Sequence, residues 1–192
     1  DLHIVSGSKG GVAYTSIKKG TSPFDNLAAS IEAANSRSVG GASCTAIYME
    51  HGESDHQIST TRSQYTANLV EFHSDVAAKC RTAARGGEPP LFIAQFSSWT
   101  ASILVNHGAT SLIPMAVYDA ARQNYRKVAL IVPHYQWTHA ADGVHMTAAS
   151  SRAMGALAGK AIAYGSGWQP LWPRLDGTAV SRTTNVITVY LY

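Results

Sequence analysis

Apolar runs long enough to cross a bilayer are missing from this 192-residue chain. Every hydrophobic stretch is broken by Ser, Gly or Arg well short of the ~18–20 residues a span needs, so a membrane-embedded protein is not expected. Cysteine is scarce. Two residues, Cys44 and Cys80, cannot build a scaffold of several disulfides. With Cys44 in a strand pattern and Cys80 in a helical one, both are expected to be free core thiols. Charge is sparse too: Asp, Glu, Lys and Arg make up 14% of residues, and the net charge of +3 comes from scattered Lys and Arg. Without a basic run, aromatic-basic interleaving or a zinc-knuckle spacing, nucleic acid is not an expected partner; a polyanionic polysaccharide remains compatible. The chain shows neither an initial Met nor a signal sequence. Asp1 leads directly into the strand-like Leu2-His3-Ile4-Val5, from which an upstream segment is expected to have been removed.

What is abundant is Gly, Ser, Thr and Ala on a 45% hydrophobic background. That balance points to one ordinary globular domain and leans toward an extracellular or virion-associated setting. Short Val- and Ile-rich runs alternate with longer helical patterns, the arrangement of βα units, so a mostly parallel sheet covered on both faces is expected. Four strands are read: Leu2 to Ser6, Cys44 to Met49, Leu91 to Phe96 and Val128 to Val132. Helices are expected at Asn26 to Ser36, at Thr60 to Ala84 with Tyr65, Leu69, Phe72, Val76 and Cys80 as its core stripe, at Pro114 to Tyr125, and from a Thr147 cap to about Tyr164. After Gly167 the texture changes. Trp168-Gln169-Pro170-Leu171-Trp172-Pro173 and a turn-like Asp176-Gly177 lead to the alternating Asn185 to Tyr192, a strand or hairpin arm whose partner is expected outside these residues. The division read is therefore 1–167 as the principal domain and 168–192 as a β-rich extension. No internal repeat is visible.

In open α/β sheets, ligands bind beyond the carboxyl ends of the strands, and three segments there carry polar chemistry. His51-Gly52-Glu53-Ser54-Asp55 follows a strand and precedes a long helix; it reads either as a turn that caps the helix or as a cluster of donors and acceptors at a site. Asp142-Gly143-Val144-His145 places a carboxylate three residues before an imidazole on a tight loop. There the carboxylate can fix one ring nitrogen and leave the other as a proton acceptor, although an incidental surface loop has the same composition. Ser6-Gly7-Ser8-Lys9-Gly10-Gly11 can present backbone N–H groups to an oxyanion or phosphate. It has neither the P-loop nor the dinucleotide-binding spacing.

Taken in this order, the segments resemble the SGNH hydrolases, and within them the sialate O-acetylesterase-like branch that includes acetylxylan esterases and esterase domains of phage tail proteins. The resemblance spans about residues 2 to 164. It is carried by Gly10-Gly11, His51-Gly52-Glu53-Ser54-Asp55, Tyr65, Pro90-Leu91-Phe92-Ile93-Ala94-Gln95, Asp142 to His145 and Met154-Gly155. It implies a three-layer α/β/α, flavodoxin-like fold and a serine esterase that removes acetyl groups from a carbohydrate without a cofactor. It further implies His145 as general base, Asp142 as its orienting carboxylate, and the Gly11 N–H, or Gly10 with an offset of one, as an oxyanion donor. The position of His51 is usually Gln in this branch, where the side chain donates to the oxyanion; an imidazole N–H can make the same bond. Glu53 and Asp55 are expected to brace the loop or the substrate, with Glu53 a substrate-binding candidate.

The nucleophile block departs from the family. Its Gly-x-Ser motif belongs to a strand before the Gly-Gly loop and has no counterpart here. Ser6 and Ser8 lie in what aligns with the next block, so the serine is expected on a removed segment or a second chain. Tyr135 and Trp137, and after Gln95 also Trp99, are candidates to stack on sugar rings. A metal site from His134, His139 and Asp142 matches no familiar zinc spacing, and no metal is expected. The alternative to an enzyme is a non-catalytic carbohydrate-binding or structural module of a tail fibre or surface protein.

Overall fold

The computed structural model describes residues 3–96, 112–165, 180–183 and 186–189. Three parallel strands, β1 (Ile47–Met49), β2 (Leu91–Gln95) and β3 (Val128–Pro133), form a sheet in the order β1-β2-β3. Ile47 stands beside Leu91, and Leu91 beside Val128. The helices are α1 (Ser22–Arg37), the short α2 (Glu53–Gln57), α3 (Arg62–Ala83), α4 (Leu112–Gln123) and α5 (Ala148–Tyr164). Strand and helix alternate, and a parallel strand can only be reached by a crossover.

The two-residue period of β2 explains the layering. Leu91 and Ile93 face one core with Tyr65, Leu69, Phe72 and Val76 of α3 and Ile113 and Val117 of α4. Phe92 and Ala94 face a second core with Met154, Ala158 and Ala161 of α5. A strand buried on both faces must be apolar at every position, and the whole stretch Leu91–Ala94 is. The molecule is thus a mixed α/β, three-layer α/β/α fold of the expected class.

Several expected elements differ. His3 to Ser6 form no strand among the described residues; Val5 instead packs on the first core and Gly7 lies against Pro23 and Leu27 of α1. A strand exists only where a ladder partner lies alongside. The expected strand from Cys44 shrinks to Ile47–Met49 because its partner β2 begins only at Leu91, after Pro89 and Pro90, which have no N–H to give a ladder; Cys44 forms a disulfide with Cys80, with Cα atoms 5.9 Å apart. The expectation of two free thiols is corrected. Sequence separation hid the pair, since helix α3 brings its C-terminal end back beside the segment entering β1. The expected helix at Thr60 starts at Arg62, with Thr61 as its cap accepting from the Gln64 N–H at 3.2 Å. Near the C-terminus, β4 (Val180–Thr183) pairs antiparallel with β5 (Val186–Val189), so that arm finds its partner within the chain.

Candidate active site

The loop after β3 folds back on itself. His139 bridges Met146, the Ala140 N–H donates to the His145 carbonyl at 2.7 Å, and the Gly143 N–H to the Ala140 carbonyl at 2.9 Å. Gly143 takes φ +69°, which a glycine adopts without penalty. Within this turn Asp142 uses both oxygens. Oδ1 accepts from the Val144 N–H at 2.9 Å and the His145 N–H at 3.0 Å, while Oδ2 accepts from His145 Nδ1–H at 2.7 Å. The hydrogen bond from His145, followed by the two backbone N–H donors, holds the Asp142 pKa down to about 2. Reciprocally, bonding to Asp142 raises that of His145, with a smaller contribution from the charge of Glu53. His145 Nε2 meets no hydrogen-bond partner among the described residues, and the side chain is 81% exposed. A ring held in this tautomer and orientation is built to take a proton at Nε2.

The segment leaving β1 is tied to the glycine loop. His51 is buried, its Nε2 lies 3.1 Å from the Val12 carbonyl, and its Nδ1 lies 2.8 Å from the Tyr65 hydroxyl. The ring is stacked parallel to Tyr65. Burial lowers the His51 pKa, opposed by the nearby charge of Asp55. Asp55, also buried, accepts from the Tyr14 N–H at 2.8 Å and the Thr60 hydroxyl at 2.9 Å. A direct oxyanion contact from His51 would require its bond to Val12 to open. Gly11 sits at φ +68° on the surface, and among the described residues no acceptor meets the N–H of Gly11 or Val12. Glu53 opens α2; burial raises its pKa, its own backbone N–H and the charge of His145 lower it, and Glu50 raises it.

The other candidates divide. Tyr135 is 73% exposed and free to meet a ligand, whereas Trp137 packs on the core beneath α5. Trp99 lies outside the described residues. His134 is buried 3.5 Å from Glu50, and burial, then repulsion from His139, pushes its pKa down to about 4. Ser6 and Ser8 bond each other at 2.9 Å on the surface and neither meets His145. Among the described residues no three His, Cys, Asp or Glu side chains are grouped to hold a metal ion. Sequence reasoning took Tyr65 for a core residue and missed its hydroxyl's partner. The available signal was a tyrosine hydroxyl on an otherwise apolar stripe, because a buried O–H needs a partner.

A family model described as carbohydrate esterase, sialic acid-specific acetylesterase, matches residues 1–163. The chain belongs to this family of carbohydrate esterases. No curated protein matches it. Family membership supports a general acetylesterase role for a chain that carries the exposed Asp142–His145 pair.

Proposed function

We propose that the domain is an O-acetylesterase that removes acetyl groups from a polysaccharide or glycan through a serine acyl-enzyme. The observation that carries this reading is the Asp142–His145 pair, with Nδ1 committed to the carboxylate and Nε2 unpartnered among the described residues. In the mechanism, a serine Oγ loses its proton to His145 Nε2 as it attacks the acetyl carbonyl. The imidazolium, stabilised by Asp142, returns that proton to the departing sugar oxygen. The Gly11 N–H donates to the tetrahedral oxyanion, and water then repeats the sequence on the acetyl-serine. Glu53 and the exposed Tyr135 contact the sugar, Tyr135 through its ring face. No cofactor takes part.

The serine, on this reading, lies on a separate segment or a second chain. Support comes from Ser6 and Ser8, which bond each other and not His145. An extracellular or virion-associated setting is part of the proposal, and the Cys44–Cys80 disulfide favours it, because such bonds persist in oxidising compartments. The test is p-nitrophenyl acetate hydrolysis combined with intact mass spectrometry of the purified material. Hydrolysis with a trapped acetyl group on a Gly-x-Ser segment is expected. Material without such a segment that leaves the ester intact would sink the reading in favour of a non-catalytic carbohydrate-binding module.

A further inference from the structure

We infer that His51 is a positioning residue, a latch whose ring N–H holds the Val12 carbonyl so that the Gly11 and Val12 N–H groups face the reacting ester carbonyl. Its purpose rests on the esterase reading; its geometry does not. A neutral imidazole has one N–H and one lone pair. The acceptor at Nε2 is a carbonyl, 3.1 Å away, so the proton must be there. Nδ1 then carries the lone pair, and the Tyr65 O–H, 2.8 Å away, is the donor that completes it. Tyr65 is fully buried on α3, so the hydroxyl that selects the tautomer stands on a rigid element. The titratable groups facing the ring are Tyr65 from α3 and Asp55 from α2, whose Oδ2 lies 3.7 Å from Nε2. Asp55 does not compete for that proton, since 3.7 Å is beyond hydrogen-bond reach while the Val12 carbonyl is at 3.1 Å; its oxygens instead accept from Tyr14 and Thr60.

The two ties bracket the loop. Val12 is held through its carbonyl and Tyr14 through its N–H, whereas the N–H groups of Gly11 and Val12 stay uncommitted among the described residues. A loop whose acceptor and distal donor are pinned while its proximal donors remain free is arranged to present those donors. Burial lowers the His51 pKa, which keeps the ring in the one-proton form the latch needs.

Nuclear magnetic resonance of the full chain tests this without turnover. Wild type should show the Nε2–H tautomer of His51 and a Val12 carbonyl 13C shift that moves as His51 titrates. In His51→Leu the Val12 carbonyl should shift and the Tyr14 amide should exchange roughly tenfold faster. His51→Gln, whose carboxamide can donate to the same carbonyl, should restore both and abolish the titration. Tyr65→Phe, a milder change, should yield mixed tautomers and a partial Val12 shift. Where turnover is measured, His51→Leu should lower kcat roughly 10- to 1000-fold with KM kept, and His51→Gln should recover most of it. An Nδ1–H tautomer in wild type, or a Val12 carbonyl and Tyr14 amide unmoved in His51→Leu, would overturn the latch. Absence of turnover in wild type would count against the esterase reading alone, with the spectra still deciding the latch.

Discussion

A surface imidazole bound at 2.7 Å to a carboxylate has a definite pH signature. Because Asp142 raises the His145 pKa above its ordinary 6.5, the form able to accept a proton accumulates at higher pH than for an ordinary imidazole. The acid limb of activity is therefore expected above 6.5. Asp142→Asn should move the His145 titration, followed by its ring C–H resonance, downward and lower kcat by roughly 10²- to 10⁴-fold. An unmoved titration would refute the assigned pairing. The stabilising effect of the pair has two limits. On the His145 side, the folded pKa is raised, so the contribution is full below the unfolded value and is lost as pH rises through the folded one. On the Asp142 side, the folded pKa is about 2 against an ordinary 3.8, so the contribution is present above 3.8 and is lost as pH falls toward 2. Both groups are exposed, so this affects charge state far more than stability.

Between elements, the turn from β1 into α2 is constrained by both backbone conformation and space. Gly52 has φ +137°, and a Cβ there would sit 2.9 Å from Ile113 Cγ2 on α4 and from the Phe96 ring. Gly52→Ala should cost on the order of 3 kcal/mol, from backbone strain and overpacking together, measured as a lower urea midpoint with an unchanged m-value. At the other loop, Thr147 caps α5 by accepting from the Ser150 N–H at 3.3 Å. Thr147→Ala should cost about 1 kcal/mol by the same measurement. It should also loosen the Asp142–His145 loop, because the Thr147 hydroxyl donates at 3.1 Å to Ser150 Oγ, which in turn accepts the Thr138 N–H at 3.0 Å across that loop's base. A variant as stable as wild type would show that the cap contributes nothing.

For the whole molecule, the disulfide ties the segment entering β1 to the C-terminal end of α3 at the edge of the first core. It closes a loop of 36 residues in sequence separation, for which chain entropy predicts roughly 3–4 kcal/mol of stabilisation. Cys44→Ala, or reduction of the native protein, should lower Tm by about 10 °C or more, and melting curves with and without dithiothreitol check it. Equal curves would mean that the bond adds nothing. Its location explains why it was illegible. Periodicity placed Cys80 on the buried stripe of α3, but contact with Cys44 depends on where a 22-residue helix ends in space, which no local pattern encodes. The same division runs through the site. The αβ alternation, the doubly apolar β2, the Thr147 cap and the Asp-Gly-Val-His loop were all readable in sequence, because each is decided by neighbours within a few residues. Absence of a strand at His3–Ser6, the Trp137 ring turned into the core and the commitment of His51 to Val12 and Tyr65 were not. Each depends on partners 14 to 39 residues away for His51, or in other layers for the rest. By itself the sequence determined the fold class and the carboxylate–imidazole pair through local pattern. Tertiary packing alone decided which donors remain free, because a hydrogen bond is settled by what the completed fold brings within about 3 Å.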